Sequence, residues 1–166
     1  SLWRQCTPLL RRRLLWYFLR KQTESLPSYH SIAAFARVLE TADQAQLNLP
    51  EGELVAYRDK LFVCQESEFQ NLPWCNGREV RGRLKDILLE NDFVLLPFKG
   101  GLSEEELEKP AVLRSVAKGD VIQSGQREKS VEKLLQECHI VPLVRKYWPI
   151  ILSMGNKCLA VVNLRV

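Results

Sequence analysis

Arg114, Lys118, Arg127, Lys129, Lys133, Arg145 and Lys146 all fall in one stretch of this 166-residue chain, between Val112 and Lys146. Clustered lysine and arginine have one chemistry that they perform well, the neutralisation of phosphate. Lys129 and Lys133 are four apart, the spacing that places both on one side of a helix. A helix starting near Lys129 to Val131 would add the partial positive charge of its free backbone N–H groups. Arg127, Lys129 and Lys133 are therefore the first candidates for phosphate contact. Arg145 and Lys146 come next, then Arg114 and Lys118. For Arg145 the competing expectation is a salt bridge to Glu132 or Glu137. A second run, Arg11, Arg12 and Arg13, is a candidate for contact with a phosphate backbone or a neighbouring domain; the alternative is a core helix with a solvated basic edge.

Other chemistries find little support. The cysteines are Cys6, Cys64, Cys75, Cys138 and Cys158, widely spaced and without the close pairs that a zinc site needs. An odd count also argues against a secreted disulfide framework and for reduced thiols in the cytosol. His30 and His139 have no acid, cysteine or second histidine at ligand spacing, so no metal site and no catalytic set is read around them. Glu104, Glu105, Glu106 and Glu108 are consecutive acids of the kind that form a solvated patch. Ser124-Gly125-Gln126-Arg127 is not a phosphate-cradling glycine loop, and no Walker or dinucleotide motif occurs.

The elements that must position the basic residues follow from periodicity and punctuation. Thr7-Pro8 is a helix start, and the helix runs to Lys21 with Leu10, Leu14, Tyr17 and Phe18 in one stripe. Leu15, Trp16 and Leu19 broaden that stripe, as expected for a helix covered on several sides. Ser28 caps a second helix, Tyr29 to Glu40, with Ile32, Phe35, Ala36 and Leu39 as its inner face. Residues 47–64 read as a small β-meander around Pro50-Glu51-Gly52 and Asp59-Lys60. The segment 65–78, with Pro73-Trp74 and Asn76-Gly77, is the expected linker region. Residues 80–90 and 93–98 flank Asn91-Asp92 and suggest a hairpin, although Ile87-Leu88-Leu89 fits a helix equally well. From Val112 on, the order is strand, turn, basic loop, two short helices and a hairpin, with Val131, Leu134, Leu135 and Cys138 as one buried helix face. The fold class is thus α+β. Its expected domains are a helical domain with a meander over residues 1–66, a linker over 67–79, and a mainly β domain over 80–166.

Composition agrees with a folded chain. It is 46% hydrophobic and 27% charged, enough to bury a core and too apolar for wholesale disorder. The formal charge of +4 permits a phosphate-rich partner without demanding one. No apolar run is long enough to span a bilayer, so no membrane partner is expected.

The order Gly119-Asp120, Gly125, Lys129, Leu134 to Glu137, Ile140, Pro142, Arg145 and Pro149 resembles the C-terminal domain of the tRNA(Ile)-lysidine synthetase family. The basic first helix, the Ser-capped second helix and the hairpin around Tyr57-Arg58 and Leu61 resemble the substrate-recognition domain that precedes it. Leu143, Val116 and Val162-Asn163 depart from the residues usual in the family. Of the candidate RNA contacts, Lys129 and Arg145 coincide with family motif positions.

The resemblance implies a non-catalytic C-terminal part of a longer cytoplasmic bacterial ligase. Its partners would be tRNA and the N-terminal catalytic domain of the same protein. That domain would use ATP and lysine as substrates, and this part itself would hold no cofactor. The implied task is to place the isoleucine tRNA with a CAU anticodon so that lysine is joined to its wobble cytidine. The rival expectation is an interaction or homodimerisation module that docks through the apolar first helix.

Overall fold

A computed structural model of the chain describes residues 2–58, 60–96 and 101–164. The chain forms two units, Ser1–Phe69 and Gln70–Val166, each with its own core. The α+β build expected from the sequence is the one adopted.

The first unit opens with α1 (Leu2–Gln5), α2 (Pro8–Gln22) and α3 (Tyr29–Thr41). Both long helices start where the capping residues dictate. Thr7 Oγ1 accepts from the Leu10 N–H at 3.3 Å, and Ser28 Oγ accepts from the Ser31 N–H at 3.1 Å. Ile32, Phe35, Ala36 and Leu39 of α3 are buried, as their spacing requires. The α2 stripe is a correction. Arg11, Leu15 and Leu19 face inward, Phe18 is half-buried, and Leu10, Leu14 and Tyr17 are exposed. A helix apolar around most of its girth does not select its own inner face; packing against α3 does.

The antiparallel sheet β1 (Gln44–Leu49), β2 (Gly52–Tyr57) and β3 (Lys60–Cys64) completes this core through Ala45, Leu49, Leu54 and Ala56. Gly52 is required at its corner, because a Cβ there would lie 2.2 Å from the Cys64 carbonyl oxygen. A short helix, α4 (Glu66–Gln70), follows.

In the second unit, β4 (Val80–Arg83) runs into α5 (Leu84–Glu90), α6 (Glu104–Leu107), β5 (Pro110–Ser115), β6 (Val121–Ser124), β7 (Arg127–Ser130), α7 (Val131–Glu137), α8 (Pro142–Arg145), β8 (Pro149–Ser153) and β9 (Cys158–Val161). The sheet order is β4-β5-β8-β9-β6-β7. All neighbours are antiparallel except β6 and β9. Val112, Ile122, Val131, Leu135, Ile150 and Val161 form its core. Trp74 and Cys75 are also buried in this unit: the Trp74 indole N–H donates to the Tyr147 carbonyl at 3.3 Å, and the Ser115 N–H donates to the Trp74 carbonyl at 2.8 Å.

The hairpin expected around Asn91-Asp92 does not form. β4 pairs with β5 instead, and Leu84, Ile87 and Leu88 turn inward as one helical face. The Asn91 side chain donates to the Ile87 carbonyl at 2.7 Å and ends the helix, and Asp92 takes a positive φ of 61°. Residues 97–98 of the expected second arm lie outside the described residues. The acidic stretch is a short helix with a capping box, in which Ser103 and Glu106 satisfy each other's backbone N–H groups.

Candidate nucleic-acid interface

The candidate interface is built on α7. Ser130 caps it, with the Lys133 N–H donating to Ser130 Oγ at 3.5 Å, and Val131, Leu134 and Leu135 anchor it to the sheet. Its end is a Schellman turn: the His139 N–H donates to the Gln136 carbonyl at 3.0 Å, and the Ile140 N–H to that of Leu135 at 3.0 Å. His139 supplies the left-handed residue at φ 61°. The turn redirects the chain into α8, which starts at Pro142 and ends on Arg145.

Between the turn after β5, α7 and α8 lies an open groove of about 460 Å3. Val116, Leu135 and Pro142 give it an apolar floor, and Lys118, Arg145 and Lys146 line it as cations. Glu132 is the single acid on its wall. The sequence reading named Glu132 only as a salt-bridge candidate for Arg145, not as part of a groove wall. The signal was present, since Glu132 is three residues before Leu135, on the same side of the helix.

The candidate cations divide by what already holds them. Arg114 and Asp120 form a bidentate pair at 2.9 and 2.7 Å, with side chains only 21% and 13% exposed. Asp120 also accepts from the Ala117 N–H at 2.7 Å, which ties the turn after β5 to the sheet. Burial alone would raise the Asp120 carboxyl, but hydrogen bonds from Arg114 and Ala117, with the arginine charge, hold it below the ordinary carboxylate value. The buried Cys158 thiol nearby is pushed up to about 11, by desolvation first and by the Asp120 charge second.

Lys129, in β7, is half-buried and ion-paired with Glu137 at the far end of α7. That pair lowers the Glu137 carboxyl, through the Lys129 hydrogen bond above all. The Arg145 Nε donates to the Ile140 carbonyl at 2.8 Å, which fixes the guanidinium at the groove edge. Lys146 is exposed, with its ammonium 4.7 Å from the centre of the Tyr147 ring. The side chains of Lys118, Arg127 and Lys133 are exposed and have no hydrogen bond or ion pair among the described residues. The structure therefore brings Lys118, Arg145 and Lys146 together at the groove. It sets Lys129 and Lys133 beside Glu137, and it places Arg127 at the tip of the β6–β7 hairpin.

The arginines of α2 divide in the same way. Arg11 is 9% exposed and held by the Trp3 carbonyl at 3.0 Å and by Glu40 at 2.8 Å. Arg12 donates to the Tyr29 hydroxyl at 2.6 Å and to the Pro8 carbonyl at 3.3 Å. Arg13 is exposed. All five cysteines are free thiols, and among the described residues no helix is long and apolar enough to cross a membrane.

Comparison with known proteins covers both units. The family model described as the TilS substrate binding domain matches residues 1–62, and that described as the TilS substrate C-terminal domain matches residues 112–166. The chain is 34% identical over 161 residues to proteins named tRNA(Ile)-lysidine synthase from two Neisseria meningitidis strains, of serogroups B and A. A protein of the same name from Neisseria gonorrhoeae is also 34% identical over 161 residues. These matches take in 97% of this chain but only 38% of the meningococcal proteins and 36% of the gonococcal one.

Proposed function

The chain belongs to the tRNA(Ile)-lysidine synthase family, and from that premise we propose that it binds tRNA and places it for a catalytic domain carried elsewhere in the protein. The domain over residues 80–166 grips a paired stem, the acceptor stem in this reading. The domain over residues 1–66 helps to bring the anticodon end of the isoleucine tRNA to the catalytic domain. There ATP would be consumed in joining lysine to the wobble cytidine. The work is cytoplasmic, as tRNA modification in a bacterium must be.

The observation that carries this reading is the groove with Lys118, Arg145 and Lys146 over an apolar floor. An A-form stem hides its base edges in a deep, narrow major groove, so proteins hold it through phosphates, 2′-hydroxyls and shape. Two lysines and a braced arginine at the edge of a shallow groove meet phosphates without needing base contacts. Lys133 and Arg127, exposed on the adjoining helix and hairpin, extend the contact.

The test is a titration with the CAU-anticodon isoleucine tRNA beside a non-cognate tRNA at several salt concentrations. Saturable, salt-sensitive binding that prefers the cognate is the expected result. Salt-sensitive binding without preference would leave grip here and assign identity to the catalytic domain. Absence of binding at low salt would refute the reading.

A second reading has its own observation. Leu9, Leu10, Leu14, Trp16 and Tyr17 of α2 are exposed on its outer side. In this reading α2 docks on another domain or a second copy, and association that persists in high salt would favour it.

A further inference from the structure

The first unit holds a second, smaller groove, of about 360 Å3, between α2 and α3. That is at the lower end of the range for small-ligand clefts, about 300–1,000 Å3. Ala33 and Ala36 keep its floor low, so the two helices leave room between them. Arg12 and Arg37 line it as cations, and Tyr29 and His30 line it with their rings. Its one acid, Glu40, is already neutralised by Arg11 at 2.8 Å.

Two features make this more than a charged cleft. Arg12 is preorganised: its Nε and Nη1 are held by the Pro8 carbonyl and the Tyr29 hydroxyl, and its guanidinium carbon lies 5.7 Å from the centre of the Tyr29 ring. Tyr29 is 60% exposed, and His30 meets it edge-on with ring centres 6.3 Å apart. Arg37, two turns along the same face of α3 from His30, is exposed, and its side chain has no hydrogen bond or ion pair among the described residues. A cation pair next to an exposed aromatic pair is what an unpaired nucleotide needs, since its base offers a π face for stacking and its phosphate a full charge.

We propose that the α2–α3 groove binds one unpaired nucleotide of RNA, with its phosphate at Arg12 and Arg37 and its base against Tyr29 and His30. The proposal rests on the reading of this chain as an RNA binder. It assigns a different kind of RNA element to the first unit from the paired stem assigned to the second.

The experiment uses the whole chain with a single-stranded RNA octamer carrying 4-thiouridine, and the isoleucine tRNA in parallel. Photo-cross-links are mapped to peptides, and affinities are measured across salt. The octamer should cross-link to the peptide around Tyr29. Tyr29→Ala should weaken octamer binding about tenfold, whereas Tyr29→Phe, which keeps the ring and loses only the hydroxyl that holds Arg12, should lose clearly less. Arg37→Ala should flatten the log–log salt dependence by about one unit. An unchanged melting temperature of Arg37→Ala is expected from its exposure and separates lost contact from lost fold.

Octamer binding that ignores both Tyr29→Ala and Arg37→Ala overturns the proposal and leaves the stem reading intact. Octamer binding in this groove with no tRNA binding overturns the stem reading and leaves the proposal standing. Binding of neither RNA overturns both. Polyglutamate that displaces the octamer at equal charge concentration would reassign the groove to an acidic protein segment and refute the nucleotide.

Discussion

The two grooves differ in what surrounds their cations. In the second unit, Lys118, Arg145 and Lys146 stand over an aliphatic floor, and the nearby Tyr147 ring is buried. In the first, Arg12 and Arg37 stand beside exposed Tyr29 and His30. Lysine is a point charge on a long stem that meets phosphates over a range of positions, while arginine beside an aromatic ring adds a flat surface for stacking. On the two proposed readings, equal positive charge serves two kinds of RNA, a stem whose bases are hidden and a strand whose bases are free. The difference also teaches that charge in the sequence is a poor guide to charge available to a ligand. Arg11 and Arg114 are both consumed inside their units, by Glu40 and Asp120.

The sharpest test of that division is Arg114→Ala. If Arg114 is structural, its loss leaves Asp120 buried without its partner and costs about 3 kcal/mol of stability in the second unit, read by urea melts. A stable variant with weakened RNA binding would break the comparison. The same pair gives a pH test. The folded-state pKa of Asp120 is depressed, so its stabilisation is complete above the unfolded carboxylate value and is lost as pH falls through the depressed one. Melting temperature should therefore drop on acidification below about pH 4, and Asp120→Asn should remove that part of the drop.

The next effect in size is on binding. Replacing Lys118 and Lys146 together by alanine should weaken binding to a duplex stem about tenfold and lower the salt slope by about two units. Binding to a single-stranded octamer should change less. Equal losses on both RNAs would erase the distinction between the grooves. The smallest effect is expected from Lys129→Ala. Glu137 already occupies that ammonium, so the loss should be about twofold and smaller than for Lys133→Ala. A larger loss would mean that RNA displaces Glu137.

Much of the first unit was legible. Thr7 and Ser28 announced their helices, and the 3,4-spacing of Ile32, Phe35, Ala36 and Leu39 named the inner face of α3. α2 was not legible in the same way, because Leu14, Leu15, Trp16, Tyr17, Phe18 and Leu19 give no polar side to exclude. Its orientation is decided by tertiary contacts, including the reach of Arg11 to Glu40. Asn91-Asp92 marked a real change of direction, but the same residue types end helices and join hairpins. In the candidate site, the cations were visible as letters, but their availability was not. Lys118 and Arg114 look alike in sequence; only the turn that brings Asp120 back to Arg114 separates them.

The place of the β8–β9 hairpin in the second sheet has a consequence for how the chain is made. Its strands lie between β4-β5 on one side and β6-β7 on the other, and β9 alone touches β6. During synthesis the first unit can close as soon as its meander leaves the ribosome, since all its pairings are between neighbours. The second cannot. Its two outer ribbons must wait, unjoined and with apolar faces open, until residues 149–161 arrive to bridge them. A ribosome that stalls before that point would release a chain with one finished unit and one pair of exposed sheet halves, a natural substrate for chaperones.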